Sequence, residues 1–229
     1  MSKPVPAEFL RVLEAASAAY PHVVRDLNLA GLSMSGIDLT ELWFVGCTFD
    51  DADMRDSLPY RCHLIESSFR GTDLSAANMG RTETLRSTFV GARFSGASLL
   101  RLDATDTDFH DADLTETVLT KTHLRESDLR GVSLRNARFS RTSFVEVLLA
   151  GADLTGATGT INGGVEINVG TPEHPVMLAG HGAMEWLRDA GADLTWSRTP
   201  EEVAESVARR PRAPGPPSNG SPPETEKRP

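Results

Sequence analysis

Five basic residues, Arg61, Arg81, Arg101, Lys121 and Arg141, recur at intervals of 20. Stacked in space, they would form a cation ladder able to hold an acidic partner. A second set is acidic. Asp53, Asp73, Asp113 and Asp153 share the same 20-residue spacing, interrupted by Arg93 and Ser133, and Asp51 and Asp111 adjoin them. Together these six aspartates are a candidate acidic partner-binding surface. Both sets act by charge, not by bond making.

Groupings suited to catalysis or metal binding are lacking. The six histidines, His22, His63, His110, His123, His174 and His181, match no standard zinc spacing. His174 and His181, with Glu173, are the only ones set for a cluster. Cys47 and Cys62 form no CxxC pair and read as small buried residues. The GxGxxG, GxxxxGK and Gly-x-Ser-x-Gly patterns are absent. No catalytic residue, cofactor site or metal site is expected.

What would align residues 20 apart is a shorter period. Every fifth residue from Leu29 to Leu154 is Leu, Met or Phe in 23 of 26 cases, the exceptions being Pro59, Thr84 and Ala104. Those three residue types make up under a fifth of the chain. Two residues before each large position is a small one. From Cys47 to Ala152 it is Ala, Ser, Thr, Cys or Val in 21 of 22 cases. The exception, Leu102, precedes Ala104, so the two sizes have swapped within one repeat, as a volume-conserving core allows. Period five matches neither a strand nor a helix, so the backbone must turn a corner once per repeat.

Segments such as Gly71-Thr-Asp-Leu-Ser-Ala, Asp111-Ala-Asp-Leu-Thr and Gly151-Ala-Asp-Leu-Thr-Gly resemble the A(D/N)LXX consensus of the pentapeptide-repeat family. The resemblance covers about 130 residues. It implies an all-β solenoid, a right-handed quadrilateral parallel β-helix with four repeats per coil. About six and a half coils would give a rod roughly 30 Å long. Residues 20 apart then stack, and Phe49, Phe69, Phe89 and Phe109 form an internal phenylalanine column. The unbroken register predicts a straight rod without the loop insertions of some quinolone-resistance relatives. A rod filled by its own side chains offers no concave site for catalysis.

The expected organisation is a capping helix within 1–22, the β-helix over 23–158, a strand-and-helix cap over 159–210 and a disordered tail over 211–229. Phe9, Val12, Leu13, Ala16 and Tyr20 give the first helix an apolar side. In the C-terminal cap, Val165–Val169 alternates like a strand and His181–Ala190 reads as a helix. Thr199-Pro-Glu-Glu202 is a capping box for a helix reaching about Arg209. Met184, Trp186, Leu187 and Trp196 are its apolar anchors, serving to seal the last coil or to form a homodimer interface.

The formal net charge of −9 opposes direct binding to nucleic acid. No apolar run reaches the length of a membrane span, and no secretory leader is recognisable, so a cytoplasmic protein is expected. Two functions stay open: a scaffold binding a protein partner, or a DNA mimic that occupies the duplex site of DNA gyrase or another topoisomerase. For the basic ladder, too, two readings remain. Glu83 and Asp103 lie two residues after Arg81 and Arg101, and a corner column reads Glu66, Arg86, Asp106, Glu126, Glu146. The ladder is thus either a self-compensated solvated face or a binding stripe.

Overall fold

The computed structural model describes residues 7–16, 22–171 and 173–208. The expected tail over 211–229, and residues 1–6 and 17–21 around the first helix, lie outside them.

The corner demanded by period five is a backbone feature. Every fifth residue from Asp26 to Gly156 has a positive φ, nine of them glycine and eighteen not. Four such corners make a coil, because parallel pairing joins each residue to the one 20 further on, as in Asn28 with Thr48 and Asp53 with Asp73. The result is a parallel β-solenoid of about seven turns. From Asp26 to Asn136 the corner amides donate to carbonyls of the next coil, for example Arg101 N to the Thr120 carbonyl at 2.8 Å, and Arg141 N donates to Thr160 Oγ1 at 3.0 Å. The large residue before such a corner also donates to the next coil, as Phe49 N does to the Ser68 carbonyl at 2.7 Å. Each coil therefore templates its successor, and the backbone polar groups are satisfied along the rod axis.

The large and small positions both point inward. Phe49, Phe69, Phe89 and Phe109 stack with centroids 4.5, 4.7 and 5.1 Å apart and planes within 14°. Leu102 and Ala104 are both buried, so the swap of sizes is internal. Small polar residues inside find partners: the hydroxyls of Thr72 and Thr122 donate to the Phe49 and Leu99 carbonyls at 2.7 and 2.6 Å, as buried polar groups must. Pro59 is buried in the column of Leu39, Met79 and Leu99. It lacks the amide those residues use, yet Arg61 N still reaches the Gly80 carbonyl at 2.9 Å. One ladder bond is lost and the register holds.

Cys47 and Cys62 occupy small inward positions. Burial pushes the Cys62 thiol up to about 12, and raises Cys47 as well. Neither offers a thiolate for chemistry.

At the N-terminal end, α1 (Ala7–Ala16) lays Phe9 over the first coils, its ring 6.3 Å from that of Phe44. Leu13 is partly buried against the same core. At the other end the period stops at Gly159, which stands where the next large residue would be. The stacking itself continues. Thr158–Asn162 pairs in parallel with the strand Arg138–Val145, slipping by one residue at Ile161, and Glu166–Asn168 pairs with Val147–Leu148 at the usual spacing. The start of the segment that sequence assigns to a separate cap is thus still coil, with Ile161, Val165 and Ile167 buried. Met177–Ala179 then returns antiparallel to Glu166–Asn168. The helix α2 (Gly180–Asp189) follows, and Asp193–Arg198 adds in parallel to Thr158–Asn162. Last is α3 (Pro200–Ala208), whose start has the reciprocal bonds of a capping box: Glu202 N to Thr199 Oγ1 at 3.3 Å, and Thr199 N to Glu202 Oε2 at 2.9 Å.

Candidate functional site: a basic corner

The ladder residues Arg61, Arg81, Arg101, Lys121 and Arg141 fall together on one corner column. All five have φ between 55° and 60°. That conformation costs a residue with a Cβ about 1–2 kcal/mol, which glycine escapes. The other three columns use glycine at nine corners; this one, from Glu41 to Arg141, uses none. The cations are also about 4.8 Å apart along the axis, so they repel one another.

Arg61 is relieved by Glu41 at 2.9 Å. Among the described residues Arg81, Arg101, Lys121 and Arg141 have no carboxylate within 4.0 Å. Glu83 turns away from the corner to His63, with Oε2 3.2 Å from Nδ1. Glu83, Asp103 and His123 instead form the far wall of an open groove of about 470 Å³, whose near wall is Arg81, Arg101 and Lys121. The neighbouring corner compensates itself more directly, Arg86 lying 2.6 Å from Glu66.

These terms fix the sign of a test. Arg101→Gly removes the left-handed strain but adds freedom to the unfolded chain, about 0.5–1 kcal/mol. The variant is expected to be as stable as the parent or up to about 1 kcal/mol more stable in urea unfolding. A clear loss of stability would mean that the cations serve the fold.

The acidic set is distributed differently. Asp53, Asp73, Asp113 and Asp153 lie on one side of the rod, with Asp51 and Asp111 on its bordering corner. The side is not free anionic surface. Arg55 meets Asp53 at 2.7 Å, Arg93 meets Asp73 at 3.2 Å and Arg135 meets Asp153 at 2.7 Å. Asp113 accepts the Thr115 amide at 2.9 Å. Asp51 and Asp111 lean over glycines of the next coil: a Cβ on Gly71 or Gly131 would come 2.6 or 2.2 Å from their Oδ1 atoms.

The partners show in the acidities. Hydrogen bonds from Arg55 hold Asp53 below its ordinary value. For Asp73 burial acts upward, but bonds from Ser75 and Arg93 outweigh it. Hydrogen bonds from Thr155, then from Arg135, take Asp153 down to about 2. A depressed carboxyl contributes stability above its unfolded value, near 3.9, and loses it as pH falls through the folded value. Stability should therefore be flat from neutral pH to about 5 and decline between about 4 and 2. Arg135→Ala should move the Asp153 titration upward in carbon-detected NMR; an unchanged curve would remove Arg135 from the account.

Chemistry has little to work with. Among the described residues no three His, Cys, Asp or Glu side chains gather as metal ligands. His63 and His123 share a column three coils apart, and the His63 ring packs against Trp43, centroids 4.2 Å apart and planes tilted by 40°. His181 sits 4.0 Å from Glu201 and edge-on to Trp196. A void of about 10 Å³ between Phe44, Pro59, Leu64 and Met79 is too small to hold a ligand. In the cap, Met184 and Leu187 are buried, whereas Trp186 and Trp196 are partly exposed against the core. No described helix is long and apolar enough to cross a membrane.

A family profile described as pentapeptide repeats matches residues 86–120 and 122–158, with eight copies. Residues 86–158 thus carry pentapeptide repeats, and the same five-residue period runs through the rod from Leu29 to Leu154. No curated protein matches its sequence significantly. Solved structures similar to it include HetL, a pentapeptide repeat protein involved in heterocyst differentiation regulation from the cyanobacterium Nostoc sp. strain PCC 7120. It shares 16% identity over 87% of this chain and 92% of that one, with a TM-score of 0.43. Full-length QnrB1, a plasmid-mediated fluoroquinolone resistance protein, shares 18% over 82% and 89%, TM-score 0.44. Rfr23 from the cyanobacterium Cyanothece 51142 shares 16% over 54% and 93%, TM-score 0.34.

Within this pentapeptide-repeat rod, the feature hidden from sequence was the left-handed corner beneath the ladder. Glycine at every fifth residue would have signalled it, but only a third of the corners carry glycine.

Proposed function

We propose that this repeat protein is a non-enzymatic binding module that holds an acidic protein partner along the basic corner. One observation carries the reading: four successive cations are kept unpaired on strained corner positions, where glycine would cost less. Their backbones are fixed by bonds to the next coil, such as Lys121 N to the Ser140 carbonyl at 2.7 Å. The charges are therefore preorganised, which lowers the ordering cost of binding.

A photo-cross-linking residue placed at Thr120 in the full chain, and separately at Thr155 on the acidic side, tests this in lysate. Protein adducts from Thr120, reduced by Arg81→Glu with Lys121→Glu, are expected. Adducts from neither position would sink the reading.

The second reading, a DNA mimic acting on a topoisomerase such as DNA gyrase, draws on the net charge of −9 and the rod shape. Against it stand the arginines on Asp53, Asp73 and Asp153, which break the run of charge that a duplex presents. Inhibition of supercoiling by purified protein would favour it over the first.

A further inference from the structure

One side of the rod differs from the other three. Between the Asp56 and Arg61 corners, the outward positions of four coils are Leu58 and Tyr60, Asn78 and Gly80 (itself buried beside the Tyr60 ring), Ser98 and Leu100, Val118 and Thr120. None is charged, whereas every other side carries charges over the same coils: Asp50, Arg70 and Asp108 on the opposite one, Asp53, Asp73 and Arg93 on the next, Glu83 and Asp103 on the last. Depletion of charge at the centre of a surface patch, with charge at its rim, distinguishes interfaces from ordinary protein surface. Leu100 is among the few large apolar residues left exposed, at 38%. Tyr60 lies flat along this side: a Cβ on Gly80 would come 3.1 Å from its ring. The side is thus smooth and half apolar over four coils; the unpaired cations Arg81, Arg101 and Lys121 run along one edge, and Arg141 continues that edge into the next coil, where Arg138 brings the first charge onto the side.

The spacing of that edge selects among partners. The cations rise about 4.8 Å per step. Carboxylates at i, i+4, i+7 and i+11 of an α-helix rise about 5.4 Å per turn. Over four cations the two drift apart by about 2 Å, less than half a step, which long side chains absorb. Alternate residues of an extended strand rise about 6.7 Å, and the drift reaches about 6 Å, more than a whole step.

We propose that the uncharged side between the Asp56 and Arg61 corners is a docking surface for an amphipathic helix of a partner protein, laid along the rod axis. Its apolar stripe covers Leu58, Tyr60, Leu100 and Val118, and its acidic flank faces Arg81, Arg101, Lys121 and Arg141. This rests on the reading of the rod as a protein-binding module and names the chemistry of what it binds.

The test uses the full chain and a labelled helical peptide of about 20 residues, some 30 Å long. It carries Leu and Ala on one stripe and Glu at the i, i+4, i+7, i+11 flank. Fluorescence anisotropy should show saturable binding that weakens with salt. Arg101→Glu with Lys121→Glu, and separately Leu100→Asp, should each weaken it about tenfold or more. Arg70→Glu on the opposite side should leave it unchanged. All these positions are exposed or corner sites, and circular dichroism confirms that each variant is folded. Three outcomes overturn the proposal: no binding at about 1 mM peptide, equal binding by a strand-forming peptide of the same composition, or tighter binding by duplex DNA. If lysate adducts still form at Thr120 while the helical peptide fails, the binding-module reading stands and the helix alone is wrong.

Discussion

Phe89→Ala is expected to cost the rod about 3–5 kcal/mol, the range for deleting a buried phenylalanine, and to split its unfolding into two steps. Phe89 is fully buried between Phe69 and Phe109, 4.7 and 5.1 Å away. In a compact core the surroundings relax into part of such a gap. Here they are held apart, because the coils on either side are spaced by main-chain bonds: Phe69 N to the Thr88 carbonyl at 2.8 Å and Phe89 N to that of Asp108 at 2.6 Å. Each coil touches only its neighbours, so coupling between the two halves runs through this layer. Phe89→Leu should cost less than about 1.5 kcal/mol, since Leu129 and Leu149 fill the same column unaided. Urea unfolding followed by circular dichroism, with hydrogen exchange resolving the halves, measures both. A single sharp transition with a loss under about 1 kcal/mol would show that the stack does not couple the rod.

The second large effect is at Gly159. Its φ is +118°, and a Cβ there would stand 1.9 Å from the Phe139 carbonyl oxygen, which is backbone of the adjacent strand and cannot swing aside. Gly159→Ala should therefore cost about 2–4 kcal/mol. The loss should be local, freeing Thr158–Asn162 and the Asp193–Arg198 strand stacked on it while the earlier coils keep their protection. Exchange rates of the Asp193 and Leu194 amides give the result. If these remain protected, the seam tolerates a side chain and Gly159 is not what ends the repeat.

The two variants mark where sequence is informative. The rod was legible because its rule is local and repeated: large residues at one position in five, small ones two places earlier, with no slip at Pro59. The columns follow by arithmetic, which is why the ladder and the phenylalanines align as expected. The end was less legible. After Leu154 the period stops, and the final coil is specified by long-range pairing with strands already formed. Val165–Val169 was readable as a strand, as were the two helices. Met177–Ala179 and Asp193–Arg198 were not, since three to six residues paired at the margin carry little pattern of their own.

Charge was only half legible. Columns showed which residues share a corner, but not which carboxylate each arginine reaches. Arg55 pairs with a residue two places back, Arg93 with one 20 back and Arg135 with one 18 ahead. Those choices depend on side-chain reach across a pleated wall, and they turn a row of aspartates into a nearly neutral surface. The uncharged side needed the same arithmetic as the ladder, applied to what is absent.

The left-handed corners, four to the coil, also make the rod behave like an indexed shaft. Deleting five residues between Leu102 and Glu116 would leave large and small positions in step, so the chain would still wind. Everything downstream would be rotated by a quarter turn. Lys121 and Arg141 would move to the corner now headed by Asp56, and Glu126 and Glu146 would arrive beneath Arg61 and Arg81. Deleting twenty would shorten the shaft by one coil and leave every marking aligned. Length can vary in this molecule at little expense, but only in whole revolutions if its surface is to keep its meaning.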